Sequence, residues 1–416
     1  MQAPPSKSSM QRACAAALLH KGTTLLSNAG DSNDERAALE IIQQLGAVVT
    51  QTISGAISIR SDFDFFAQQT DAEPLLINCG ESALCARLFT PIAARCSRTV
   101  TLTGEGTLLK RNLHFPAAVF REIGISIDES NCRLPITVRG PLQPIPVHVQ
   151  AEESSQHLTG LLFAYASSVK IPTTITVRAL SSKPYVDLTV DVLSRFGYRI
   201  EETVGDSYVV HPGNNMNNTE ASYNVEGDWS TAAFFLTGAA ISGHLTLTGL
   251  DVFSKQADRA ILQALMMTGV PLSITENHIK VGGITGSSGL NPFHFNATDC
   301  PDLFPPLAVL AACCNGTSVI EGTGRLGNKE SNRKETIADL LGRMGISVTL
   351  QDDLMIIEGR QELNAVTVDS FQDHRIAMAA AIGALRANGP VVLEQADAVN
   401  KSFPAFFEQL DKLRSP

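Results

Sequence analysis

Six short polar clusters carry the residue types from which a site for acid–base and anion chemistry could be built. They are Lys7-Ser8-Ser9, Asn78-Cys79-Gly80-Glu81-Ser82, Ser154-Ser155-Gln156, Asp228-Trp229-Ser230-Thr231, Pro301-Asp302 and Asp373-His374-Arg375. Markers at 7, 80, 155, 229, 302 and 375 lie 73 to 75 residues apart, and each cluster opens a helix rich in small apolar residues. A single such cluster reads as an N-cap, because Ser, Asp and Asn accept the first free backbone N–H groups. Six in register, several with Lys, Arg, Gln or His that capping does not require, point further. Free N–H groups and the positive end of the dipole make a helix N-terminus an anion site. Three more basic segments sit on predicted loops: Lys110-Arg111, Lys329 to Arg333, and Asn400-Lys401. A solvated loop is the default reading of each.

The elements that position these residues recur with the same period. One unit is a small-residue helix, a break and a β-branched strand, as in GAAISGHLTLTG, LAACCNGTSVIEG and AIGALRANGPVVLEQ. An amphipathic helix ending in Gly and followed by a strand is interleaved with it, with glycines at 46, 124, 197, 269 and 345. A period near 70 residues is longer than solenoid repeats usually show. It predicts a βαβαββ unit repeated six times, grouped as two domains of three repeats, with boundaries near Pro5 and Glu226. The sixth copy stops after FFEQLDKL and the first begins abruptly at Lys7. The N-terminus is therefore expected to supply what the C-terminal end lacks. The expected domains are 1–5 plus 226–416, holding both termini, and an inserted 6–225.

Composition narrows the function. The chain has 416 residues, 42 Asp+Glu against 32 Lys+Arg, and a net charge of −10. That argues against nucleic acid or an anionic membrane surface as partner, since both demand a basic face. A small anionic substrate needs only a few convergent cations. The eight cysteines form no CxxC pair and include the adjacent Cys313 and Cys314, which fits free thiols in a reducing compartment. No apolar run is long enough to span a membrane. The Ala/Leu stretch after Arg12 is short and closed by His20-Lys21, so a cytoplasmic, mature N-terminus is expected. The histidines show no metal-ligand spacing. Gly322-Thr-Gly324-Arg-Leu-Gly327 fits GxGxxG, but eight polar or charged residues follow where a dinucleotide fingerprint needs a helix at once.

Taken together, SKSSMQR (6–12), NCGES (78–82), SSQHLTGLL (154–162), SKPYVDLT (182–189), VEGDWS (225–230), CPDLFP (300–305), NKESNR (328–333), DHRIAMA (373–379) and NKSFP (400–404) resemble the enolpyruvyl transferases. Within these the likeness is to the EPSP synthase family, and it runs over nearly the whole chain. The resemblance implies an α/β (α+β) fold of two domains, each of three βαβαββ repeats (the inside-out α/β barrel type), with the active site in the interdomain cleft and hinge closure on binding. It implies transfer of the enolpyruvyl group of phosphoenolpyruvate to the 5-hydroxyl of shikimate 3-phosphate through a tetrahedral adduct. No metal or other cofactor is implied, and the chain is expected to be a monomer.

By that resemblance the catalytic residues are Asp302, Glu330 and Lys7. Shikimate 3-phosphate falls to Lys7, Ser8, Arg12, Ser154, Ser155, Gln156, Ser182, Tyr185, Asp302 and Lys329. Phosphoenolpyruvate falls to Lys7, Gly80, Arg111, Gln156, Arg333, His374, Arg375 and Lys401. The sequence departs from the family in NCGESALCARL, where a familiar arginine is displaced and whether Arg87 stands in for it is left open, and at Thr107, Arg325 and Asn332. The rival readings are the sister transferase acting on UDP-N-acetylglucosamine and an inactive phosphate-binding paralogue. The first lacks its reactive loop cysteine here, and the second is opposed by Lys7, Asp302, Glu330 and Arg375 all being present.

Overall fold

A computed structural model describes residues 1–53, 55–69, 73–128, 132–213, 219–283 and 289–414. Of the polar loop expected at 212–219, residues 214–218 lie outside these. The chain divides into two compact units, Met1–Ser6 with Glu226–Pro416, and Lys7–Val225. Ser6 belongs with the first because its amide donates to the Glu226 carbonyl at 2.7 Å.

Six inner helices correspond to the six clusters: α1 (Lys7–Leu19), α2 (Ala83–Ala93), α3 (Gln156–Ala166), α4 (Trp229–Ser242), α5 (Phe304–Ala312) and α6 (His374–Gly383). Beyond their polar starts their sequences are apolar and rich in small residues, and a helix of that kind is stable only when surrounded. Every residue of α2 and of α5 is buried, and α1 is buried from Ser9 to Leu18. Helices α4, α5 and α6 pack on one another, as α1 and α2, and α2 and α3, do in the other unit. Small residues set the separation. A Cβ on Gly160 of α3 would come within 2.6 Å of the Arg87 carbonyl oxygen on α2, so this contact tolerates no side chain.

Around the helices lie sheets whose strands alternate buried and half-buried residues, as in Thr99–Thr103. In one sheet Leu75–Asn78 pairs parallel with Thr99–Thr103, which pairs antiparallel with Ile136–Arg139, and that strand with Ser126–Asp128. The parallel pair needs a crossover, and α2 supplies it. The same order, parallel then antiparallel twice, recurs in the sheets built on Gly22–Ser27, Thr173–Arg178 and Gly316–Glu321. Outer amphipathic helices complete each repeat, and the glycines at 46, 124, 197, 269 and 345 that close five of them have φ between +77° and +91°. Only glycine takes that left-handed conformation without strain.

Two sheets are completed by distant segments. Glu220–Asn224 joins Gly22–Ser27 in parallel, and Gln2 bridges Thr248 beside Leu245–Thr248. The N-terminal segment thus completes the sheet of the fourth repeat and not, as the truncated C-terminus led one to expect, that of the sixth. The sixth repeat keeps a two-stranded sheet among the described residues, Thr367–Asp369 with Val392–Glu394.

Gly160→Ala is expected to destabilise the protein by about 1–3 kcal/mol through overpacking, exceeding the ~1 kcal/mol that alanine gains in a helix. The denaturant midpoint measures it, and an unchanged or raised midpoint contradicts the close α2–α3 contact.

Candidate active site

In the unit that holds both termini, the first turns of the inner helices meet outer loops. Asp373 caps α6, accepting from the Arg375 amide at 3.0 Å, and Asp228 caps α4. With Ser82 on α2, side-chain capping accounts for three of the six clusters, whereas α3 and α5 carry no side-chain cap. Asp302 lies in the 3-10 turn Pro301–Leu303 that runs into α5. Lys329 and Glu330 precede the outer helix Arg333–Arg343, and Lys401 ends the turn Ala396–Lys401.

Arg333 joins these pieces. Its guanidinium, 1% exposed, donates to Asp302 Oδ1 at 2.7 Å, Glu330 Oε2 at 2.6 Å and Asp373 Oδ2 at 2.8 Å. Arg375 donates to Asp302 Oδ2 at 3.0 Å; Lys329 stands 3.8 Å from Asp302 Oδ1 and Lys401 3.8 Å from Glu330 Oε1. The His374 ring is buried, with Nδ1 3.8 Å from Asp373 Oδ1. Removing so many charges from water is costly unless each is paired, and these are. Burial pulls the Lys329 ammonium down to about 8, assisted by Arg333 and opposed by Asp302. Burial raises the Asp302 carboxyl, but Arg375, Lys329 and Arg333 outweigh it and hold the group well below the usual carboxylate range. Asp258, in the turn Ala257–Ala260, accepts a hydrogen bond from Ser230 at the start of α4. Its carboxyl is pushed up to about 7, by burial first and Asp302 second.

The inserted unit gathers a second group. Lys7 pairs with Asp34 at 2.8 Å. Arg12, buried, donates to Thr189 Oγ1 at 2.9 Å, the Ser8 carbonyl at 2.9 Å and the Tyr185 carbonyl at 3.2 Å. Ser182, at the N-terminus of the outer helix Lys183–Arg195, is left-handed at φ +55°, a conformation costly for a residue with a Cβ and one that gathers at functional sites. Gln11 links α1 to α2 by donating to Ser82 Oγ at 2.7 Å. Gln156, whose amide bonds Ser154 Oγ at 3.2 Å, accepts from Arg87 at 2.9 Å. Ser155 is buried beside it at the N-cap of α3. Gly80 lies just before α2, and its carbonyl accepts from the Glu105 amide at 2.7 Å. Arg111, largely buried, closes the turn Gly106–Lys110, and the carbonyl of its neighbour Asn112 accepts from Arg87 at 3.5 Å.

Asp302, Lys329, Glu330, Arg333, His374, Arg375 and Lys401 are thus gathered in one unit, and the remaining candidates in the other. Arg87, on the displaced motif, reaches Gln156. Thr107, by contrast, is buried and fixed through its amide to Glu81 at 2.7 Å. Asp34, Asp258 and the pairing role of Asp373 escape sequence reasoning. Asp34 and Asp258 stand on outer elements outside the six-fold register, and Asp373 reads as a cap. The GxGxxG segment forms a left-handed Gly322 and the turn Thr323–Leu326, and the next helix begins only at Arg333, which excludes a dinucleotide fingerprint.

The family model for EPSP synthase (3-phosphoshikimate 1-carboxyvinyltransferase) matches residues 1–410. The chain is 34% identical over 413 residues to the 3-phosphoshikimate 1-carboxyvinyltransferase of Clostridium novyi, covering 99% of this chain and 94% of that protein. It is 35% identical to the enzyme of the same name from Thermococcus kodakarensis, covering 99% and 96%. Among solved structures it is similar to the EPSP synthase of Acinetobacter baumannii, with a TM-score of 0.78 at 25% identity, covering 99% and 94% of the two chains.

Arg333→Met leaves three carboxylates without their central cation. It is expected to cost about 3–5 kcal/mol in unfolding free energy, measured by denaturant titration. A loss within the ~0.5 kcal/mol typical of neutral surface changes contradicts the pairing.

Proposed function

The chain belongs to the EPSP synthase family, and on that premise we propose that it transfers the enolpyruvyl group of phosphoenolpyruvate to the 5-hydroxyl of shikimate 3-phosphate and releases phosphate. The observation that carries the reading is the cluster around Arg333. It holds four cations, Lys329, Arg333, Arg375 and Lys401, beside three carboxylates, Asp302, Glu330 and Asp373. The reaction asks for that combination: cations for phosphate and carboxylate oxygens, a base for a hydroxyl, and an acid for a carbon.

Asp302 takes the proton of the 5-hydroxyl as its oxygen attacks C2 of phosphoenolpyruvate. Glu330 and Lys7 serve the methylene carbon, which gains a proton and becomes the methyl group of the tetrahedral adduct. The adduct then expels phosphate and loses a methyl proton, which restores the double bond. Without substrate Asp302 is a poor base, because Arg375, Lys329 and Arg333 hold it as the anion. Anionic substrate groups compete for those cations, and the carboxylate regains basicity as they are drawn off.

Arg333, His374, Arg375 and Lys401, with Gly80, Arg111, Gln156 and Lys7, hold phosphoenolpyruvate; bidentate arginines suit its oxyanions. Ser8, Arg12, Ser154, Ser155, Ser182 and Tyr185, with Lys7, Gln156, Asp302 and Lys329, hold shikimate 3-phosphate. The two units are 1–6 with 226–416, and 7–225. The protein works as a monomer in the cytoplasm, a location supported by eight free cysteines of the kind a reducing compartment preserves.

Phosphate release from phosphoenolpyruvate is expected with shikimate 3-phosphate as acceptor and not with UDP-N-acetylglucosamine. Release with neither acceptor, from folded protein, would sink the reading. Asp302→Asn should bind both substrates and lose about 10²–10⁴-fold in kcat; wild-type kcat in that variant removes the base role.

A further inference from the structure

Asp258 is a buried carboxyl, 1% exposed, that no step above uses. Its turn packs on α4 and on the outer helix Ile261–Thr268, which brings no titratable side chain. From α4, Ser230 Oγ donates to Asp258 Oδ2, and Asp228 contributes a negative charge. From the turn before α5 it is faced by Asp302 and the Cys300 thiol, and from α6 by Arg375. Two carboxyls, Asp258 and Asp302, therefore act on one guanidinium, and Arg375 is already committed to Asp302 through Oδ2 at 3.0 Å and the main-chain oxygen at 3.4 Å.

We propose that Asp258 is a positioning residue for phosphoenolpyruvate. As the neutral acid it leaves Arg375 to the substrate's anionic groups, and as the carboxylate it draws on Arg375 and opposes a further anion there. The proposal rests on the role given to Arg375 above. It deepens that role by assigning a pH limit to binding, set by a group that touches no substrate. Like charges in one site cannot all ionise freely, and environments that push two carboxyls apart give them separate roles. Here Asp302 stays ionised while Asp258 changes form near neutrality. The Ser230 hydroxyl favours the ionised form of Asp258 and so tunes where the change falls.

The test is the pH dependence of KM for phosphoenolpyruvate and of kcat, for wild type, Asp258→Asn and Ser230→Ala. In wild type KM should rise about threefold or more between pH ~6.5 and ~8.5 while kcat changes less. Asp258→Asn, whose amide stands in for the neutral acid, should flatten the rise. Ser230→Ala removes a donor to the carboxylate and should move the rise to higher pH. Thermal unfolding reads Asp258 without substrate. A carboxyl raised in the folded state binds a proton more tightly there than in the unfolded chain. Its contribution to stability is therefore lost as pH climbs from about 4 to about 7, and the Tm of wild type should fall relative to Asp258→Asn across that window. A rise in KM that survives Asp258→Asn, one that Ser230→Ala leaves in place, or a Tm difference independent of pH overturns the proposal. Should Asp258→Asn not fold, the Ser230→Ala profile decides alone. Absence of transfer at every pH overturns the function proposed above instead, and the Tm comparison still reports on Asp258.

Discussion

One guanidinium, that of Arg333, stands between three carboxylates from three separate segments of the chain, Asp302, Glu330 and Asp373. These lie respectively in the turn before α5, in the loop before an outer helix and at the cap of α6. A buried arginine needs its donors satisfied, and carboxylates taken from water need a cation. The positions of these segments are therefore fixed by mutual necessity and not only by apolar packing. Arg375, Lys329 and Lys401 add themselves to a frame that Arg333 has already set.

The frame is possible because three inner helices can converge. Helices with one polar face could not share a common interior, but helices that are apolar throughout and rich in small residues can. Their first turns then become a polar zone of the interior, with capping aspartates and cations side by side. The architecture thus brings charge inward where the helix starts meet the outer turns and loops. An acidic chain can in this way hold a cluster of cations without a basic surface.

Much of this was legible in the sequence, because repetition makes weak signals additive. A lone Gly after an amphipathic helix says little. Five at nearly even spacing predict five left-handed closures, and all five are found. The polar clusters at helix starts were visible for the same reason, and so were Asp302 and Arg375. Pairings across the period were not. Asp34 meets Lys7 and Asp258 meets Ser230 because outer elements fold back onto inner helices, and nothing in their local sequence marks the partner. Arg87 shows a related difficulty: which way a shifted arginine on a helix faces cannot be read from its position alone, and only the fold shows it bonded to Gln156.

The bridge between Gln2 and Thr248 carries a consequence for biogenesis. The segment around Gln2 finds its sheet only after the whole inserted unit has been synthesised, and that unit is itself closed by one of its last strands, Glu220–Asn224, beside one of its first, Gly22–Ser27. Loop closure over such distances is slow to nucleate. Vectorial synthesis therefore imposes a nested order, with the inserted unit maturing first and the terminal segment waiting unpaired until the fourth repeat emerges.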